Sequence, residues 1–287
     1  MARDASSGEN EQPEVVAWTP GPTEVFASRH DPRFSYCLYL PPQRGDGKPT
    51  ELLVAVHGSL RLFIPYRDAF SAFAEWNNCI VLAPLFPSGV LGDENGDGYK
   101  YLYESDLRYD RVLLAMVAEV AQRYHLTSRQ FGLLGYSGGG HFAHRFYTLH
   151  PERLWAVSIG APGSVTLLDP NREWWMGVRN TREMFGVQVD IAAMRRVPVQ
   201  MIVGRVDLET YEIVHREDDR YWLPGANDAG PNRPARLAAL RDSYASQGIA
   251  VRFDVLPDVA HDAMRCAKAA ESFLAEALRA RRAVAAD

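Results

Sequence analysis

Residues 132–146 read GLLGYSGGGHFAHRF, and at their centre Ser137 stands between glycines in Gly135-Tyr136-Ser137-Gly138-Gly139. An apolar run precedes the serine and a helical pattern follows it, so Ser137 falls where a strand turns into a helix. Such a turn exposes the hydroxyl and crowds the positions two before and two after, where only very small side chains fit. Those positions are Gly135 and Gly139. The turn also sets Ser137 at a helix N-terminus, whose free N–H groups favour developing negative charge. A serine hydroxyl is a poor nucleophile until a base takes its proton. The nucleophile reading therefore needs a histidine and an acid elsewhere in the chain, and the competing reading is a purely structural turn.

Outward from this point the pattern alternates. A first strand region at 23–40, containing FSYCLYLP, ends at Pro41-Pro42, and ELLVAVHGS (51–59) is a buried strand closing at His57-Gly58. FIPYRDAFSAFAEWNN (63–78) has helical periodicity that sets Phe70, Phe73, Ala74 and Trp76 on one side. CIVLAPLF is a short strand, 105–124 an amphipathic helix, 130–134 a strand and 139–149 a helix. LWAVSIGAPG and VPVQMIVGRVD are strands; 233–247 is a helix with Pro234 in its first turn. VRFDVLPDVAHD is a last strand and loop before an alanine-rich helix at 263–283. Strands alternating with helices of this length describe an α/β sandwich on a mostly parallel sheet. Residues 164–196, with two adjacent tryptophans, break the alternation and read as an excursion over one end of the sheet.

Composition narrows the function classes. A chain of 287 residues is long enough to bury roughly 75% of its unfolded surface in one large core. One domain over 15–287, preceded by a flexible tail at 1–14, is the expectation. A formal net charge of −5 gives no general affinity for nucleic acid or anionic lipid. Cys37, Cys79 and Cys266 are far apart, odd in number and without a C-x-x-C, which argues for a reducing compartment and against a zinc ribbon. The polar N-terminus lacks the apolar core of a secretory signal, and no run of 18 apolar residues occurs. A cytoplasmic protein without membrane or nucleic-acid partners is expected, with a homodimer as the base-rate guess.

With GYSGG, the early VHG and the late AHD, the chain resembles the α/β-hydrolase superfamily over roughly residues 34–280. Within it the chain looks like the single-domain esterases related to polyhydroxybutyrate depolymerase and dienelactone hydrolase. The resemblance implies a three-layer sandwich and a chain order of nucleophile, acid, histidine. Asp207 ends an apolar strand in MIVGRVDLE, where a carboxylate is placed to orient an imidazole. Glu209 is its rival if the loop bends differently. His261, in DVAHD before the final helix, is where the family places its base. Ester hydrolysis through an acyl-enzyme is the implied reaction. An amidase or peptidase would use the same triad; acyl transfer or a non-catalytic binding module are the readings from other classes. No cofactor is implied.

Attack on a carbonyl develops charge on its oxygen, and fixed backbone N–H groups stabilise it by roughly 3 kcal/mol each. Gly138 supplies one donor; Ser59, or else Leu60, supplies the other from the loop after His57-Gly58, which His57 braces. For the substrate, Tyr136 reads as a pocket wall. Trp174 and Trp175 read equally as pocket wall or as a staple for the excursion. Arg61 is either a structural ion-pair partner or the reader of a substrate carboxylate. The substrate is thus a small or oligomeric ester, acidic if Arg61 has the second role. DENGDGYKYLYE (93–104) fits the calcium-loop expression through Asp93, Asn95, Asp97, Gly98 and Glu104, but no helix precedes it, and a solvated loop is the favoured reading. His141 and His144 lie three apart without a third ligand, which favours packing over a metal site, and none is expected.

Overall fold

The computed structural model describes residues 18–43 and 48–284. The expected tail at 1–14 lies outside the described residues. Ten strands are described: β1 (Gly21–Ala27), β2 (Ser35–Leu40), β3 (Glu51–Val56), β4 (Cys79–Leu85), β5 (Tyr103–Glu104), β6 (Leu107–Arg108), β7 (Phe131–Tyr136), β8 (Leu154–Gly160), β9 (Val199–Gly204) and β10 (Val251–Leu256). Eight of them form one sheet in the order β1-β2-β4-β3-β7-β8-β9-β10, and β5 pairs with β6 in a separate hairpin. From β4 to β10 every neighbour is parallel, while β1 and β2 add two antiparallel pairings at one edge.

The central strands are buried at every position: ELLVAV in β3, FGLLGY in β7, LWAVSIG in β8 and VQMIVG in β9. Such continuous apolar runs mark strands covered on both faces. The helices are α1 (Phe63–Ala69), α2 (Ser71–Asn77), α3 (Gly98–Tyr101), α4 (Tyr109–Arg123), α5 (Gly138–Leu149), α6 (Thr181–Phe185), α7 (Ile191–Met194), α8 (Arg233–Ser246) and α9 (Ala263–Val284), and α1, α2, α4, α5, α8 and α9 supply that cover. On one face α2 packs between α1 and α9. On the other, His150 at the end of α5 reaches Asp110 of α4 at 2.7 Å, and Tyr147 of α5 meets Tyr244 of α8. The result is a three-layer sandwich with a mostly parallel sheet. No helix among the described residues is long and apolar enough to cross a membrane.

Three local expectations change. The strand region at 23–40 is two antiparallel strands, β1 and β2, joined by a turn in which Phe34 N–H donates to Asp31 O. The helix at 63–78 divides at Phe70 into α1 and α2. Trp76 does not join Phe70, Phe73 and Ala74 in the core but is 78% exposed. At about 100° per residue it lies well off the centre of the stripe that those three residues define.

The excursion leaves β8 and returns at β9, carrying α6 and α7. Its base is tied to α5: Gly163 and Ser164 N–H donate to His141 Nε2 at 2.6 and 3.1 Å, and Thr166 N–H donates to His144 Nε2 at 3.0 Å. The paired histidines thus serve as acceptors that hold a loop. Burial and the neighbouring Arg145 guanidinium push both imidazoles well below their ordinary range, which keeps them neutral acceptors.

Candidate active site

Ser137 follows the last residue of β7 directly and precedes the first residue of α5, so the strand-to-helix turn is a single residue long. It takes φ 57° and ψ −117°, a conformation costing a non-glycine residue about 1–3 kcal/mol. Its N–H is anchored to Gly160 O at 2.8 Å. A Cβ on Gly135 would stand 2.2 Å from Gly139 O, and one on Gly139 would stand 2.2 Å from Val56 O. Backbone occupies both spaces, which is why the two flanking positions carry no side chain.

Asp207 and His261 come from the C-terminal ends of neighbouring strands, β9 and β10. His261 Nδ1 lies 2.6 Å from Asp207 Oδ2. A carboxylate only accepts, so Nδ1 carries a proton, and in the neutral ring the lone pair is then on Nε2. Asp207 is 1% exposed, whereas its sequence rival Glu209 is exposed. The other oxygen of Asp207 is taken by Arg233, whose Nη1 donates to Oδ1 at 3.0 Å while Nη2 donates to Glu212 Oε2 at 2.9 Å. Arg233 went unread in the sequence. It opens α8 behind an Asn232 cap, 26 residues beyond Asp207, and no motif marks it.

Ser137, His261 and Arg233 line one cavity of about 580 Å³ together with Ser59, Gly138 and Tyr136. Ser59 N lies 3.1 Å from the point where a Cβ on Gly138 would stand, so the two predicted amide donors adjoin one another. The Tyr99 hydroxyl lies 2.1 Å from that same point. A side chain at 138 would require the buried Tyr99 ring to move. The loop carrying Ser59 is braced as expected: His57 Nδ1 donates to Gly58 O at 2.8 Å and its Nε2 accepts from Phe86 N–H at 3.0 Å. Burial pushes His57 down to about 4, so it is neutral.

Arg61 belongs to that bracing and is not among the cavity-lining residues. Its guanidinium donates to the carbonyls of Ser59, Gly96 and Phe86, the last at 3.3 Å, and lies 5.2 Å from the Tyr99 ring centre. Three of its five N–H groups are engaged by these carbonyls, which places Arg61 in the bracing of the loop. Trp174 and Trp175 are likewise buried staples: their indole N–H groups donate to Tyr101 O at 2.9 Å and Tyr221 O at 2.8 Å. Tyr136 is a wall, its ring 5.0 Å from that of His261. In the 93–104 loop, Asp93 pairs with Arg220, Asp97 with Lys100 at 2.6 Å, and Glu104 accepts from Tyr109 at 2.7 Å. Among the described residues no group of three or more His, Cys, Asp or Glu is arranged to hold a metal ion.

The parallel sheet, its antiparallel edge and the one-residue turn into α5 decide the architecture. The chain has the α/β-hydrolase fold. Solved structures with this fold include the poly(3-hydroxybutyrate) depolymerase LpqC of Bordetella parapertussis, at 22% identity and TM-score 0.66 over 84% of this chain and 83% of that one. Poly(aspartic acid) hydrolase-1 of Sphingomonas sp. KT-1 matches at 21% identity and TM-score 0.68, over 88% and 98%. The fluorophosphonate-binding serine hydrolase FphF of Staphylococcus aureus matches at 14% identity and TM-score 0.58, over 91% and 99%. No protein-family model and no curated protein sequence matches the chain. At these identities the likeness concerns the hydrolase fold alone.

Proposed function

We propose that this hydrolase-fold chain is a serine-dependent carboxylic ester hydrolase. One observation carries the reading: Ser137 sits strained at the head of α5 in the same cavity as an imidazole whose far nitrogen is held by a buried carboxylate at 2.6 Å. His261 Nε2 takes the proton of Ser137, and the alkoxide attacks the ester carbonyl. Charge gathers on the carbonyl oxygen, where the N–H groups of Ser59 and Gly138 stabilise it. Asp207 stabilises the imidazolium and Arg233 fixes Asp207. The imidazolium then protonates the departing alcohol, and water releases the acyl group by the same route in reverse.

The test is intact-protein mass spectrometry after exposure to a fluorophosphonate, followed by turnover of p-nitrophenyl acetate. A single adduct on the native chain, absent from Ser137→Ala, together with ester turnover abolished by the same substitution, is expected. A folded protein that takes no adduct and turns over no ester would refute the reading. Faster turnover of a matched p-nitroanilide than of the ester would move the assignment to an amidase.

A further inference from the structure

The cavity has two unlike walls. One is apolar, built from Leu60, Leu62, Tyr66, Ala263 and Met264. The other carries Lys100, Tyr101, His141 and His215, whose rings are joined by contacts between Tyr101 and His141 and, through Trp175, between Tyr101 and His215.

Behind this second wall stand two buried guanidinium groups. Arg145 donates to Lys100 O at 2.6 Å, Thr166 Oγ1 at 2.9 Å and Ser164 Oγ at 3.0 Å, and lies 4.6 Å from the Tyr101 ring centre. Arg236 donates to the carbonyls of Gly163, Ile213 and Gly230 and to Asn227 Oδ1. Every one of these acceptors is neutral. Among the described residues neither arginine pairs with a carboxylate, although Arg145 is 0% and Arg236 1% exposed. Buried charge is ordinarily matched by an opposite charge, and a guanidinium does not shed its proton to escape the cost. Burial brings Arg145 down to about 10, which still leaves it a cation at neutral pH.

The wall itself offers little compensation. Of the lining carboxylates nearest it, Asp97 is on Lys100 and half exposed, and Glu212, three residues before His215, is held by Arg233. His141 is acted on by Arg145, Lys100 and its neighbouring histidines, with no acid among them, and is neutral. His215 is held at about 4 by burial and by Arg236 and Arg145, against weaker opposing effects from Asp219 and Asp97. Beside His261 stand Asp207, on its imidazole, and Asp262, next in the chain, while Arg233 is neutralised between Asp207 and Glu212. The cavity is therefore polarised, acidic beside His261 and cationic beside Lys100.

From this polarity we infer that the Lys100–Tyr101–His141–His215 wall is a subsite for an anionic group, and that the ester cleaved at Ser137 carries a carboxylate some atoms from the reacting carbonyl. The inference rests on the esterase reading above for the word ester, but not for the subsite. Lys100 Nζ is the direct donor, released in part from Asp97, and the buried arginines supply the field. A neutral ester of the same shape leaves that field unanswered.

The experiment compares matched esters: monoethyl adipate against diethyl adipate, with the anion in the acyl part, and 4-acetoxybenzoate against its methyl ester, with the anion in the leaving group. In at least one pair kcat/KM for the anion is expected to exceed that of the neutral ester by about tenfold or more, chiefly through KM. The ratio should fall towards 1 in Lys100→Gln and in high salt. Calorimetric titration of Ser137→Ala with adipate reads the subsite without turnover, and saturable binding weakened by Lys100→Gln is expected. If the chain takes no fluorophosphonate adduct yet binds adipate in this way, the esterase reading fails and the subsite stands. Equal or lower kcat/KM for both anions, or adipate binding indifferent to Lys100→Gln, would overturn the subsite.

Discussion

Asp207 shows how one carboxylate serves two partners. With Oδ2 on His261 and Oδ1 on Arg233, its orientation is fixed from both sides. Asp207→Asn removes the acceptor that selects the His261 tautomer, and kcat for p-nitrophenyl acetate should drop by a factor on the order of 10⁴ with the fold retained. Arg233→Gln leaves a buried acid half-partnered. It should cost about 3 kcal/mol or more in urea unfolding and lower kcat more than it raises KM, with Arg233→Lys recovering part of the loss. Gly135→Ala drives a methyl group into the Gly139 carbonyl and should destabilise by about 1–3 kcal/mol or more, read as a lower Tm. Ser137 and Asp207 could be picked out as candidates because each follows a recognisable apolar run, and His261 because the family resemblance points to AHD; the structure brings His261 onto Asp207 and into one cavity with Ser137. Arg233, Arg145 and Arg236 could not be, because their meaning lies in which distant groups face them, and the spacing of an arginine along the chain does not encode its neighbours. Arg61 left two readings open for the same reason: adjacency to a loop does not say which way a guanidinium turns, and here it turns to the carbonyls of Ser59, Phe86 and Gly96.

Elements show the complementary pattern. The strands β3, β7, β8 and β9 could be read directly, since a strand covered on both faces has no choice but to be apolar throughout. The split between α1 and α2 was hidden because both halves keep the same helical period. The loop between β3 and α1 is the element whose rigidity bears most on the chemistry. Arg61 ties its Ser59 carbonyl to those of Phe86 and Gly96 on the far side of β4. Arg61→Ala should therefore release the Ser59 amide and lower kcat by about 10–100-fold, since a displacement near 1 Å at a positioned donor is enough for that. Fluorophosphonate labelling of Ser137 should persist in the variant, only more slowly. Unchanged kcat would show that the loop holds its shape without the guanidinium.

For the whole molecule, the notable quantity is the number of histidines kept neutral inside it. His57 and His215 are pushed down to about 4, and His141 and His144 are pushed well below the ordinary range, burial being the largest cause in each case. In the unfolded chain each takes up a proton near pH 6.5. The stability these groups contribute is full above that value and is lost as pH falls from about 6.5 towards 4, because the unfolded state alone gains protons over that window. For fully buried His57 the loss amounts to about 3 kcal/mol. Urea unfolding at pH 7.5, 6 and 5 should show stability falling with a slope of more than one proton. A flat profile would mean that the imidazoles are protonated in the folded state.

The division of labour between sheet and loops has one more consequence. Ser137, Ser59, Asp207 and His261 are fixed at the C-terminal ends of β7, β3, β9 and β10, whereas Lys100, Gly163, Ile213 and His215 belong to intervening segments that also line the cavity. On the function proposed above, reaction and recognition are thus written on separable stretches of chain. Divergence towards a new substrate can proceed through the connecting segments while the reacting atoms stay where the sheet puts them, and a library confined to positions 100, 101, 213 and 215, which spares Tyr99 beside Gly138 and Glu212 beneath Arg233, would sample new specificities at little risk to the chemistry.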